Sequence, residues 1–175
     1  MFLKGQTDRA VRTQALVVRV SERVFGIDHF NTAFSIIELS NYIFETRKFE
    51  QSIALHSLAV LVFDLVGGPL NPSSLLCLQE MHLLFAQTKK LGPSADAMEE
   101  LLRRNERIFG ETDEHLLFLL GKLAAMKGDL GDFKEASILQ ARKSLILKRL
   151  LLNSSAQNDD YARKIIDEKI TDSEY

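Results

Sequence analysis

One seven-residue turn occurs three times in this chain at a constant spacing, and that repetition limits the folds open to it. The copies are Gly26-Ile27-Asp28-His29-Phe30-Asn31-Thr32, Gly68-Pro69-Leu70-Asn71-Pro72-Ser73-Ser74 and Gly110-Glu111-Thr112-Asp113-Glu114-His115-Leu116, each 42 residues after the last. A fixed period of this length marks a stacked-repeat architecture, in which a single unit cannot bury its apolar face alone. Each copy reads as a helix stop followed by a helix start. Glycine suits the left-handed residue just past a helix end, where a Cβ would clash. Three positions on, Asn71 and Asp113 are good N-caps, and Pro72 fits the first helical position. His29 holds that column in the first copy, a weaker cap with Asp28 beside it.

The stretches between turns carry helical periodicity. Thr7 to Phe25 places Ala10, Val11, Ala15, Val18 and Phe25 on one face. Phe30 to about Thr46 carries Ile36, Leu39 and Ile43, and Phe49 to Val66 ends at Gly67-Gly68. Pro72 to about Lys90 carries Leu75, Leu78, Met81 and Phe85, and Ser94 to Phe109, opened by Gly92-Pro93, carries Ala97, Leu101, Leu102 and Ile108. Asp113 to about Lys127 carries Leu116, Leu117, Leu120, Leu123 and Ala124. A long last helix starts at Phe133 and is expected to stop at Asn153-Ser154-Ser155. A shorter one is expected over Asp160 to Ile170, with Tyr161, Ile165, Ile166 and Ile170 capping the stack and a frayed end beyond it.

The second helix of each unit keeps the same period. Phe49, Leu91 and Phe133 open it, and Ser52, Ser94 and Ala136 follow three residues on. A small side chain at a fixed position lets two helices approach, while the larger residue fills the adjacent gap. The same register makes the first helix the second half of a unit whose first half is missing. The expected fold is all-α, a right-handed α-solenoid of antiparallel helix pairs. It divides into a repeat array over 1–157 (half repeat 5–25, pairs 28–66, 70–109 and 112–152) and a C-terminal capping helix with tail over 158–175.

Composition excludes several classes. The 175 residues are 46% apolar with a net charge of −2, so no whole-chain electrostatic case exists for nucleic acid or an acidic membrane. The longest apolar run, Ala54 to Val66, is broken by His56, Ser57 and Asp64 and falls short of the roughly 18 residues of a membrane span. The single cysteine, Cys77, rules out an internal disulfide framework and reads as a small hydrophobe. Met1 to Thr13 is polar and unlike a secretory signal, so a cytoplasmic protein without membrane insertion is expected.

The residues Lys48-Phe49-Glu50-Gln51-Ser52 and Gly26-Ile27-Asp28-His29-Phe30-Asn31-Thr32 together resemble the tetratricopeptide repeat in its 42-residue, kinesin-light-chain form. The frame covers about Thr7 to Leu150 and implies a TPR-like superhelix. A narrower resemblance is carried by Ser21-Glu22-Arg23-Val24-Phe25-Gly26-Ile27-Asp28-His29-Phe30-Asn31-Thr32, which is similar to a frame of the clustered mitochondria (Clu) proteins, with Phe30 where that frame has proline. That resemblance implies the C-terminal part of a larger cytosolic protein. It further implies roles in mitochondrial distribution, in binding messenger RNAs for mitochondrial proteins and in association with translation initiation factors or mitochondrial-surface factors.

No enzyme is expected, and no cofactor or metal. His29, His56, His82 and His115 have no spacing that sets two ligands on one helix face. His82 falls in a column with Ser40 and Ala124 and is expected partly buried. Glu99 with Arg103 and Glu100 with Arg104 are expected to pair on a solvated face. The candidate site is the concave face of the first helices, set apart from their core positions: Glu38, Asn41 and Glu45, then Gln79, Glu80 and Leu83, then Lys122 and Ala125. Kinesin light chains carry backbone-gripping asparagines in this frame, whereas here only Asn41 lies nearby, so the groove is expected to be mildly acidic and to favour a basic protein or peptide segment. Arg142, Lys143, Lys148 and Arg149 form a candidate basic patch. Three functions follow: a Clu-like interaction scaffold, a kinesin-light-chain-like cargo-peptide adaptor, or an RNA-associated repeat module.

Overall fold

The computed structural model describes residues 2–171, with side chains from 5 to 153. Seven helices follow in order: α1 Phe2–Phe25, α2 Phe30–Glu45, α3 Phe49–Gly67, α4 Pro72–Gln87, α5 Leu91–Phe109, α6 Leu116–Asp129 and α7 Phe133–Thr171. The backbone of each helix packs against its chain neighbours alone among the described elements. That nearest-neighbour pattern is the signature of a solenoid. The helices are α2, α4 and α6 as first members of the pairs, with α1, α3, α5 and α7 as second members.

The turn chemistry follows the repeat. Gly26, Gly68 and Gly110 have φ of 95°, 79° and 89°, in the region where glycine alone is unstrained. Their N–H groups close the preceding helices onto Glu22, Asp64 and Glu106. His29 and Asn71 cap α2 and α4, accepting from the N–H of Asn31 and Ser73 at 3.1 and 2.8 Å, and Pro72 opens α4. Asp113 accepts from His115 N–H at 2.9 Å, but α6 begins later, at Leu116, behind a tight turn in which Leu116 and Leu117 bond back three residues. Phe49, Leu91 and Phe133 open α3, α5 and α7, so α5 starts three residues before the expected Ser94. A second left-handed column went unread in the sequence: Arg47, Lys89 and Gly131 have φ of 63°, 59° and 83°, again at the repeat spacing.

Two expectations about the ends are corrected. The last helix does not stop at Asn153-Ser154-Ser155 but runs on to Thr171. Those residues are weak helix formers, yet no proline or glycine follows to break the ladder. The separate helix expected over Asp160 to Ile170 is therefore the continuation of α7, and the side chains of Tyr161, Ile165, Ile166 and Ile170, like the tail beyond Thr171, lie outside what the structure describes. In α1 the inward face is Val11, Gln14, Val18 and Ser21, and Phe25 is exposed, stacking on His29 with ring centroids 4.9 Å apart.

The core is continuous through the stack: Ile36 and Phe63 in the first pair, Met98, Leu101 and Leu102 in the second, Leu116, Leu120, Leu123 and Ile146 in the third. The small-residue column does its expected work. Ser40 Oγ donates to or accepts from Ser52 Oγ at 2.8 Å, His82 Nδ1 meets Ser94 Oγ at 2.9 Å, and Ser40, Ser52 and Ser94 are fully buried. Helix α3 is long and apolar enough by composition to cross a membrane, which the run-length reading did not anticipate. Its place between α2 and α4 accounts for that composition, since both neighbours bury its sides.

Candidate functional site

The first helices of the pairs, α2, α4 and α6, present side chains to the inner face of the stack. All eight residues expected there are on these helices, and seven are exposed, with Glu80 half-buried. They do not form one site. Gln79, Leu83 and Lys122 line a common cleft between α4 and α6, together with His82, Met98, Leu101, Phe118 and Leu119. Asn41, Glu45 and Ala125 are exposed on the same helices and line none of the clefts described here.

Two of the three glutamates expected in the groove, Glu38 and Glu80, are hydrogen-bonded within the fold. Gln14 Nε2 donates to Glu38 Oε2 at 2.9 Å across α1 and α2. One repeat on, His56 Nε2 meets Glu80 Oε2 at 3.2 Å across α3 and α4. Gln14 and His56 occupy one column of the second helices and reach the same column of the next first helix. Both carboxylates thus bridge the seam between repeats, Glu38 while staying exposed and Glu80 half-buried.

His56 also receives Ser40 Oγ on Nδ1 at 2.6 Å, so Ser40, His56 and Glu80 are strung in the order of an activated hydroxyl. Nε2 lies on the Glu80 carboxylate and Nδ1 on Ser40 Oγ, whose hydroxyl is also placed to donate to Ser52 O at 2.7 Å. Ser40 and His56 are both 0% exposed, and no substrate reaches the hydroxyl. The chain of bonds is a structural pin. Beside it, the Cys77 thiol donates to His56 O at 3.7 Å, and burial, with Glu80 and Asp64 adding to it, pushes that thiol up to about 12. The cysteine is an inert core residue, as expected.

Beside these residues runs an apolar strip. Phe34, Leu76 and Phe118 occupy one column of α2, α4 and α6 and are 48%, 56% and 64% exposed. The signal was available in the sequence as a large apolar residue recurring at the repeat spacing outside the core positions. Helices α4 and α6 make no direct backbone contact, and the space between them is floored by α5. A cleft of about 430 Å³ at their N-terminal ends is lined by Leu75, Leu76, Asn105, Phe109, His115 and Phe118. It shares Gln79, Leu101, Phe118 and Leu119 with the smaller cleft of about 110 Å³ that holds Lys122. Lys122 Nζ lies 5.8 Å from the Phe118 ring centroid, a cation–π distance, and no ion pair occupies it among the described residues. His82, at the wall of this cleft, is held below its ordinary value, by burial first and by the Lys122 charge, against the Ser94 carbonyl.

The candidate basic patch is split between contacts to α5 and α6 and one cleft. Arg142 donates to Glu106 at 2.5 Å and to Glu111 O, and Arg149 donates to Thr112 Oγ1 at 3.2 Å. The Lys143 amine lies against Gly121 of α6, where a Cβ would meet it at 2.7 Å. Lys148 and Arg149 are exposed together on one cleft with Thr112, Leu145, Ile146 and Leu152.

No family model matches the chain. In sequence it is similar to the clustered mitochondria protein homologues of Culex quinquefasciatus and Aedes aegypti, 25% identical to each over 135 residues, or 77% of this chain. The chain spans about a tenth of those proteins' length, 10% and 9%. In fold it is similar to BtubC (BKLC) from P. vanneervenii, with a TM-score of 0.64, 18% identity and coverage of 85% of this chain and 59% of that one. It is equally similar to the nearly identical TPR-like repeats of a putative kinesin light chain from Podosopora anserina, TM-score 0.64 and 17% identical, covering 84% of this chain and 70% of that one. The fold is a TPR-like helical-repeat solenoid of the kinesin-light-chain type, and the sequence resemblance to clustered mitochondria proteins stands beside it.

Proposed function

We propose that this chain is a non-catalytic interaction scaffold that holds a segment of a partner protein in the inner groove of α2, α4 and α6. The observation that carries this reading is the strip of Phe34, Leu76 and Phe118, large apolar side chains kept exposed in every unit beside clefts with an apolar floor. Exposed apolar surface concentrated in a concavity is a recognition feature. Lys122 is the charge that lines the cleft, so a segment bound there is favoured by apolar side chains and an acidic group, while the exposed Glu38 and Glu45 on α2 keep the preference for a basic segment at that end. The similarity to clustered mitochondria proteins supports a setting in a longer cytoplasmic protein concerned with mitochondrial distribution. In that setting the messenger RNA and translation-initiation contacts belong to the longer protein, because three of the four basic-patch side chains here are held against α5, α6 or the turn between them.

The test is affinity capture from cells, comparing the wild-type chain with Leu76→Ser plus Phe118→Ser, and with Lys122→Glu. Both substitutions lie at exposed positions and should leave the melting temperature within a few degrees. The specific partner set should be lost with the first variant and weakened with the second. Identical partners for all three proteins would discard the groove.

A further inference from the structure

The outer face of the stack carries a second, unrelated surface. On α3, Ala54, Leu58, Leu61 and Leu65 follow one another at spacings of four, three and four, and the three leucines are 38%, 65% and 73% exposed. That spacing is the seam of a coiled coil, the pattern by which one helix accepts another. One repeat earlier, in the same columns of α1, stand Arg12, Leu16, Arg19 and Arg23, with Arg9 extending the row. All four arginines are exposed, Leu16 is 58% exposed, and no arginine of the row has an acidic partner among the described residues; Arg12 bonds only to Asp8 O of its own helix.

The fold does not require these residue types. In α5 the same columns hold Asp96, Glu100, Arg103 and Arg107. Packing positions are apolar in copy after copy, whereas this face changes from basic on α1 to apolar on α3 to mostly acidic at the start of α5. We infer that the outer faces of α1 and α3 dock an amphipathic helix of a partner protein, its apolar seam on Leu58, Leu61 and Leu65 and its acidic flank on Arg9, Arg12, Arg19 and Arg23. Charge complementarity selects this occupant. An anionic membrane laid across this face would meet the exposed Asp96 carboxylate on α5, and single-stranded nucleic acid finds no aromatic side chain in these columns to stack on. A second copy meeting it through α3 would touch along one helix of a convex surface, short of the roughly 1,200 Å² that stable pairs bury.

The probe is a synthetic helix of about three heptads with leucine at the seam and glutamate on both flanks, its lysine counterpart serving as control. Binding is read by fluorescence anisotropy on the full chain. The glutamate peptide should bind and the lysine peptide should not. Leu61→Glu plus Leu65→Glu should weaken binding by about tenfold or more, as should Arg12→Glu plus Arg19→Glu, and the latter variant should now accept the lysine peptide. The groove variant Leu76→Ser plus Phe118→Ser should bind as the wild type does, which separates this surface from the inner groove. Four results would overturn the inference: no binding of the glutamate peptide, equal binding of both peptides, leucine-dependent binding to vesicles with about one-third phosphatidylserine in place of peptide binding, or a dimer dissolved by Leu61→Glu.

Discussion

His82 shows how a single residue adapts a repeat position. Its column holds Ser40 in the first pair and Ala124 in the third, so the imidazole is a large guest in a small-residue site. It is accommodated because the Ser94 hydroxyl donates to His82 O at 3.0 Å while Nδ1–H donates to Ser94 Oγ at 2.9 Å. Burial, with Lys122 reinforcing it, holds its pKa below the ordinary 6.5. The native state then stays neutral at a pH where the unfolded chain gains a proton. The resulting stability is full above about pH 6.5 and is lost as pH falls toward the lowered native value. Urea unfolding should show a falling midpoint from pH 7 to pH 5.5, and His82→Asn, which keeps a donor for Ser94, should flatten that fall. Equal slopes in the two proteins would remove His82 as the cause. This window lies above that of Asp64 and Glu100. Burial raises both, but bonds from Arg104 outweigh it and hold them below their usual range, so their contribution disappears only in stronger acid.

At the scale of helices, Arg104 is the strongest single tie. The sequence pairs it with Glu100 on a solvated face, and that pair forms at 2.6 Å, but the guanidinium is 7% exposed. Its NH1 and NH2 reach Asp64 of α3 at 2.7 and 2.8 Å, and NH1 also reaches Ser74 of α4 and Pro69 O. The expected Glu99–Arg103 pair does not form: Arg103 joins Glu100, and Glu99 bonds Lys127 of α6 at 2.8 Å. The column of Arg104 is otherwise Val20, Val62 and Ile146, so an apolar position has been taken over by an ion network. Arg104→Met should cost roughly 2 kcal/mol, below the usual figure for a broken buried pair because Asp64 keeps some solvent. Adding Asp64→Leu should recover most of the loss. Chemical denaturation of the two variants decides this, and a single variant within 0.5 kcal/mol of wild type would show the network to be energetically idle.

Over the whole molecule, stability should be graded. Because helix backbones pack only on their chain neighbours, the local cost of opening depends largely on having a neighbour on both sides. The His56 pin and the Arg104 tie both lie in the middle, joining α2 through α5. Amide hydrogen exchange should therefore be slowest in α3 to α5 and faster in α1 and in the part of α7 up to Asn153. Uniform protection would mean that the stack opens only as a unit. The two recognition faces sit differently on this gradient: the inner strip crosses the stable centre, whereas the arginine row lies on the more labile α1.

The repeat spacing alone determined the stacked helical architecture, the left-handed glycines, the caps His29 and Asn71 and the helix openers Phe49, Leu91 and Phe133. All of these are local, because a turn or a cap is satisfied by residues within a few positions of itself. The tertiary structure decided what each exposed-looking residue does. Glu38 and Glu80 read as ligand-facing in the sequence, yet Gln14 and His56 from the preceding helices claim them. Arg104 reads as solvated until Asp64, 40 residues away, approaches it. Phe25 reads as core until the turn swings its ring onto His29. A helical wheel specifies which side chains share a face, but which neighbour that face meets follows from the angle at which successive pairs stack. The charge left over for a partner, Glu45 and Lys122 within and the arginine row without, is known only after those internal claims are settled.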